Sequence, residues 1–448
     1  MVKSSRCAIS IVTLALLIGL CRLGASAAGG AVVPTGNTRT ARASHTATLL
    51  FDGRVLITGG IERDQVFLSS AELFDPVAGE FNTTGSMISS RVDHTATLLP
   101  DGNVLIAGGY GGQYLTSCEI YDAGVEDFVP AGSMSESRGG FTATLLNNGK
   151  VLIAGGYNRT YLSGAELYDP ETGRFTQTGH MSTPRTSHTA TLLQDGKVLI
   201  TGGSFGGAVM QTAELYDPAT GQFTLTGSMS RVRYKHAAAL LGDGNVLIVG
   251  GSDNRDWDGR YRSAEIYNTA TGEFSPESDM TVARFKFIDG VVGLRNGNVF
   301  LGGGGVTPEV YDSQTGSFGP ADGEMDAARY FSTATALANG RVLVGGGYDR
   351  SIRTSSRFWT YTPEPFVKSE PRIGALRVAG KRLFVEGADF GFGATIMLND
   401  KVQKTRNSAP TPKQTLVGKK TGLRIRPGDR VQVLYPDGEL SPPFIFGQ

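Results

Sequence analysis

The chain has 448 residues, 42 Lys+Arg against 42 Asp+Glu and 40% hydrophobic residues, so it is long enough for two domains and has no bulk charge. Zero net charge gives no reason to expect a nucleic-acid partner. Its 62 glycines are about twice the usual share and show no collagen period, which argues for many turns and short strands rather than long helices.

Residues 1–27 read as an export leader. Lys3 and Arg6 give the positive start, residues 7–21 (CAISIVTLALLIGLC) the apolar run, and Ala25–Ser26–Ala27 the small-residue cleavage site. The run is short for a membrane span, and no later segment is apolar enough to be one. The expected location is therefore secreted or periplasmic. Loss of the leader removes Cys7 and Cys21 and leaves only Cys118, so no internal disulfide is expected.

From residue 28 the sequence repeats. RASHTATLLFDGRVLITGG from Arg42, RVDHTATLLPDGNVLIAGG from Arg91 and RTSHTATLLQDGKVLITGG from Arg185 are nearly identical. Further copies begin at Arg138, Arg233, Arg284 and Arg329, and the glycine doublets that close them are spaced 49, 47, 47, 48, 53 and 43 residues apart. In each copy TATLL alternates at period two and an Asp-Gly turn leads into VLITGG. A variable loop then leads to AELYD, and DPxTG turns into a fourth strand. Four antiparallel strands at this spacing make one blade of a β-propeller. The seventh copy lacks a fourth strand, and residues 32–38 (VVPTGNT) align with the fourth strand of other copies. The N-terminal strand is therefore expected to close the last blade and remove an open edge.

The apolar run, double glycine, spaced tyrosine and later aromatic resemble the kelch motif, with Phe in place of the usual Trp. The resemblance spans roughly residues 30 to 363. It implies an all-β fold, a seven-bladed kelch propeller over residues 28–364, and says little of function, since propellers host unrelated activities. Galactose oxidase is one such relative. Its copper centre uses tyrosines, one crosslinked to cysteine, and histidines that include one from the C-terminal domain. No histidine follows His236 here, and Cys118 stands where other copies have alanine, so copper is not expected.

The tight turns are nearly invariant among copies, whereas the second-to-third-strand loops diverge. Those loops share one face with the blade-to-blade connections, and that face is the expected binding surface. Tyr110, Tyr157, Arg159, Trp257, Arg260 and Tyr261 on it are the candidate ligand contacts. Residues 252–265 (SDNRDWDGRYRSAE) stand out. Asn254, Asp256, Asp258 and Glu265 match the N-x-D-x-D-G-x5-E spacing of a calcium loop, in which alternate oxygen donors suit a hard cation. Calcium is the one cofactor the residues suggest. Two readings compete with it: a partner-binding loop offering Trp257 and Tyr261, and a plain insertion.

The arginine common to all seven copies reads either as an anion-binding ring or as a structural partner of the blade glutamate. Invariance within a repeat favours the second. His45, His94, His188 and His236 share one repeat position and are expected to hydrogen-bond between blades.

Residues 365–448 carry 14 Lys+Arg against 7 Asp+Glu and read as short strands between Gly, Pro and Asp turns, a small immunoglobulin-like β-sandwich. The pattern V.G..F..GA.I.LN resembles the IPT/TIG family. The whole reads as an exported, monomeric, non-catalytic protein that binds a carbohydrate or protein ligand on the variable-loop face. A carbohydrate-active enzyme, similar to the sialic acid mutarotases or to the oxidases and using the channel mouth of the same face, is the alternative.

Overall fold

The computed structural model describes residues 30–63 and 65–363, and, from the C-terminal segment, 372–379, 381–388, 395–399, 401–403, 405–407, 415–418, 425–434, 441 and 443–447. The leader read over residues 1–27 lies outside the described residues.

Six four-stranded antiparallel sheets follow in chain order over residues 46–83, 95–133, 142–180, 189–225, 237–277 and 291–320. They are numbered here as blades 1 to 6. Blade 7 takes three strands from residues 333–362 and its outer strand from the other end of the chain. Ala31–Arg42 pairs antiparallel with Ser355–Thr362, as the aligned N-terminal segment predicts. The innermost strands touch in a closed cycle from blade 1 round to blade 7 and back.

Local chemistry explains the layers of each blade. The inner strand is TATL or a close variant. Its small residues suit the axis, where seven strands converge. The second strand (VLIT, VLIA or VLIV in blades 1 to 5) is buried along its whole length, because neighbouring blades cover both faces. The cores accordingly lie between blades. Leu50, Leu56 and Leu73 of blade 1 pack on Val104, Ile106 and Tyr121 of blade 2, and the pattern recurs round the ring.

The repeated arginine is buried in every blade. Arg42, Arg91, Arg138, Arg185, Arg233 and Arg284 pair with Glu72, Glu119, Glu166, Glu214, Glu265 and Glu309. Each also donates to the carbonyl of a doublet glycine, as Arg185 does to Gly202 at 2.8 Å. The glutamate in turn accepts a backbone N–H from the incoming connection, as Glu214 does from Ser182. Blade 7 differs: Trp359 faces Val344 at the glutamate position, and Arg329 pairs with Asp326. The doublet glycines are required by backbone and space alike. Gly59 has φ +60°, and a Cβ there would lie 2.6 Å from the Arg91 carbonyl oxygen of the next blade.

The described C-terminal strands form two four-stranded sheets. Leu383 and Val385 of one meet Ile396, Leu398, Val431 and Val433 of the other in a common core, so this segment is a β-sandwich. Among the described residues no helix is long and apolar enough to cross a membrane.

Candidate functional site

Two residues after each repeated arginine, the chain turns from the blade connection into the inner strand. The seven residues at this turn are Ser44, Asp93, Gly140, Ser187, Lys235, Lys286 and Phe331, and all have φ between +49° and +60°. Six backbone N–H···O bonds link them head to tail. Ser44 donates to Phe331, Phe331 to Lys286, Lys286 to Lys235, Lys235 to Ser187, Ser187 to Gly140 and Gly140 to Asp93. The result is a collar round the channel mouth. A left-handed conformation at a non-glycine costs about 1 kcal/mol or more. Six such residues are held here, and in five of them, all but Asp93, the conformation points the N–H sideways to the preceding blade.

Six of the collar residues, all but Lys286, line a cavity of about 640 Å³ with Asp289, Tyr114, Tyr157, Tyr161 and Phe141. Asp289 comes from a departure in blade 6. Fourteen residues separate Arg284 from the turn residue Asn298, against twelve between Arg42 and Arg54 in blade 1 and in the other blades. The two extra residues delay the strand, so that Val291 is the first residue to pair, with Leu301. The Asp289 carbonyl is pinned by the Ala334 N–H at 2.7 Å, and its side chain faces the channel. Enclosure by the surrounding protein raises the Asp289 carboxyl to about 6, with repulsion from Asp93 adding to it. Enclosure also raises Asp93, against the pull of the Ser44 hydroxyl and Lys235.

The two collar lysines are held by the long loop of blade 5. Residues 256–259 form a single 3-10 turn that brings Asp256 over the collar. Its carboxylate lies 3.1 Å from Lys235 Nζ and 3.0 Å from Lys286 Nζ, and accepts the Tyr234 hydroxyl at 2.7 Å. Partial burial would raise Asp256, but the bonds from Tyr234 and Lys286 outweigh it and hold the carboxyl below its usual range. Burial pulls Lys286 down, against Asp256. The Lys286 ammonium also sits 4.5 Å above the Trp257 ring and 4.9 Å above Phe285. This loop is a strap over the collar at the lysine side of the mouth.

In the strap the four residues of the calcium spacing do not converge. Glu265 is buried and committed to Arg233 and to the Ser230 N–H. Asp256 is committed to two lysines, while Asn254 and Asp258 face solvent. Asp253 binds Arg255, which holds its carboxyl low, and fills the space where a Gly259 side chain would stand. Among the described residues no three His, Cys, Asp or Glu side chains come together as a metal site. The glycine and alternate acids build a turn whose cations are lysine and arginine.

The six candidate contacts divide. Tyr110 and Tyr157 belong to a ladder of edge-to-face rings, Phe67–Tyr110–Tyr114–Tyr157–Tyr161–Phe205, with centroids 5.0 to 5.7 Å apart across blades 1 to 4. Arg159 is exposed near Tyr114, with φ +87°. Trp257, by contrast, is wedged against Phe285 and Tyr330, and Arg260 donates to the Trp257 carbonyl. Tyr261 lies under Arg231 and Arg233. These three fix the strap and do not line the cavity. Tyr114, Tyr161, Asp93, Asp289 and the collar lysines were not among the sequence candidates. The signals that point to the acids and the lysines are the column two residues past each arginine and the two-residue excess in blade 6.

The Kelch motif model matches residues 138–182, 185–230 and 233–281, which are blades 3 to 5 with their leading arginines. The fold is a β-propeller whose blades 3 to 5 carry the Kelch motif. Among solved structures the propeller chain is similar to a fungal alcohol oxidase of the AA5 family, determined in complex with copper. The two are 16% identical at a TM-score of 0.63, over 93% of this chain and 99% of that one. At that identity the likeness is one of fold. Among curated proteins none matches the chain in sequence.

The donors present do not fit a copper centre. His94 Nε2 is 3.2 Å from the Thr46 and Thr58 hydroxyls of the preceding blade. His188 meets Thr142, His236 meets Thr189 and Thr201, and His45 meets Thr333 in the same way. Burial drives His94 and His188 down to about 3. These imidazoles bond blade to blade. Cys118 is buried in the core between blades 2 and 3, and burial pushes its thiol up to about 12.

Proposed function

We propose that the propeller is an exported binding module that holds a saccharide at the channel mouth, on the variable-loop face. The observation that supports this is the aromatic ladder beside the polar cavity. Tyr114, Tyr157 and Tyr161 offer ring faces for sugar C–H groups, and Ser44, Ser187 and Thr186 offer hydroxyls at the same opening. On this reading the strap shapes one side of the mouth, no catalytic step is needed, and the protein acts as a monomer. The C-terminal sandwich, read as IPT/TIG-like, is an adaptor.

A second reading, a carbohydrate-active enzyme, is favoured by one observation: Asp93 and Asp289 share the cavity and repel each other. Two carboxyls that share one cavity suit acid–base chemistry. One experiment addresses both. The exported chain is tested on a glycan array, and every glycan it captures is then incubated with it and followed by mass spectrometry. Capture without change of mass, lost in Tyr157→Ala and Tyr114→Ala, is the expected result. Altered product would replace the first reading with the second, and no capture at millimolar glycan would end both.

A further inference from the structure

The mouth has more positive and negative groups than a neutral sugar requires, and their pairing is uneven. Lys235 and Lys286 are both turned to Asp256 on the strap. Asp93 has no ion pair among the described residues; its carboxylate faces the cavity beside the Ser44 hydroxyl. Asp289 has neither an ion pair nor a side-chain hydrogen bond among the described residues. The cations of the mouth are therefore satisfied from above, and two carboxylates are left facing the same cavity. Asp289 is there only because blade 6 carries two residues that the other blades lack. A repeat that keeps its spacing in six copies and breaks it to present a carboxylate to the channel has departed from what blade packing needs.

Part of the lining of that space is aromatic. Tyr114, Tyr157, Tyr161 and Phe331 line the cavity that holds the two carboxylates. Ring faces and carboxylates both attract a positive charge. A hydrated metal ion would use the carboxylates but gains little from the rings. A neutral sugar would use the rings and leave both carboxylates unpaired.

We propose that the channel mouth recognises a protonated primary amine carried on a saccharide, that is, an amino sugar without its acetyl group, with Asp93 and Asp289 pairing with the ammonium and the tyrosines covering the ring. This rests on the saccharide reading above and names its ligand class.

The test is isothermal titration calorimetry of the full exported chain at pH 7 and moderate salt. The ligands are β-1,4-glucosamine tetramer, its fully N-acetylated counterpart, the matching glucose tetramer and spermidine. The glucosamine tetramer is expected to bind at least tenfold tighter than the other three. Asp289→Asn and Asp93→Asn are isosteric changes at two separate places, so the test survives a folding failure in either. Each is expected to shrink the tenfold gap to threefold or less, while Asp195→Asn, on an exposed turn of blade 4, keeps it. Equal or tighter binding of the acetylated or glucose tetramer overturns the amine proposal and leaves the saccharide reading standing. A gap that persists in both aspartate variants also overturns it, since the amine then lies elsewhere. Spermidine binding as tightly as the amino sugar assigns the site to free polyamines and overturns the saccharide part. Absence of binding by all four overturns this proposal, while capture of some other glycan on the array would still uphold the saccharide reading.

Discussion

Thr95 buries a hydroxyl oxygen that bonds to nothing, and its neighbour across the blade interface explains why. Where the next blade supplies histidine, the threonine has a partner: Thr142 lies 3.1 Å from His188. Blade 3 supplies Phe141 instead, and Thr95 is orphaned. Blade 6 also supplies an aromatic, Phe287, but there the preceding position is Ala237, so no hydroxyl is stranded. A buried unpaired hydroxyl costs on the order of 1 kcal/mol or more. Thr95→Val is therefore expected to raise unfolding free energy by about 1 kcal/mol, and Thr142→Val to lower it by a similar amount, both read by urea denaturation. The arginines lie at the opposite extreme. Arg185→Met would leave Glu214 charged, buried and without its ion-pair partner, and is expected to cost about 3–5 kcal/mol. The double change Arg185→Met with Glu214→Leu should recover part of that loss, since no lone charge remains.

At the scale of elements, the strand Ala31–Arg42 does two jobs. It covers the open edge of blade 7 and carries Val32 into a core with Phe300, Val344 and Trp359. It also ends in Arg42, the buried cation of blade 1. Deleting residues 31–42 therefore opens the ring at both blade 7 and blade 1. The expected outcome is loss of the single cooperative melting transition in calorimetry, rather than a small shift of its midpoint. A merely trimmed tail would leave the transition in place. The strap of blade 5 is an element of another kind. Asp256, Trp257 and Arg260 reach the connections leading into blades 6 and 7, so one loop ties three blades together at the mouth. Its acidic spacing is legible in the sequence. Which charges it meets is not, because Lys286 comes from the next repeat and Lys235 lies 21 residues back, on the turn into the inner strand.

Over the whole molecule, stability is spread over seven similar interfaces, and four of them contain a buried histidine. Burial holds His94 and His188 to about 3, and His45 and His236 well below their ordinary value. The unfolded chain binds these protons near 6.5, the folded one only near 3 at His94 and His188 and well below 6.5 at His45 and His236. Stability from the neutral histidines is thus full above pH 6.5 and lost as pH falls towards 3. The melting temperature is expected to drop steeply between pH 6 and 4. The drop should be shallower in the double variant His94→Phe with His188→Phe, which copies what Phe141 and Phe287 do in other blades. An unchanged slope would mean that carboxylates, not histidines, set the acid limit.

The sequence by itself determined the blades, their number, the closing strand, the arginine–glutamate pairs and the bonding of histidine between blades. These follow from period-two strands, turn residues and a spacing near 48, because a repeat that cannot bury its own faces must stack on its neighbours. The tertiary structure alone decided the site. The collar residues are some 45 to 51 positions apart in the chain and meet only because seven inner strands converge on one axis. Asp93 and Asp289 are nearly two hundred residues apart and face one cavity for the same reason. Glu265 fits a calcium spacing by position yet turns inward to Arg233, since sequence spacing does not encode the direction of a side chain, and the packed blade does.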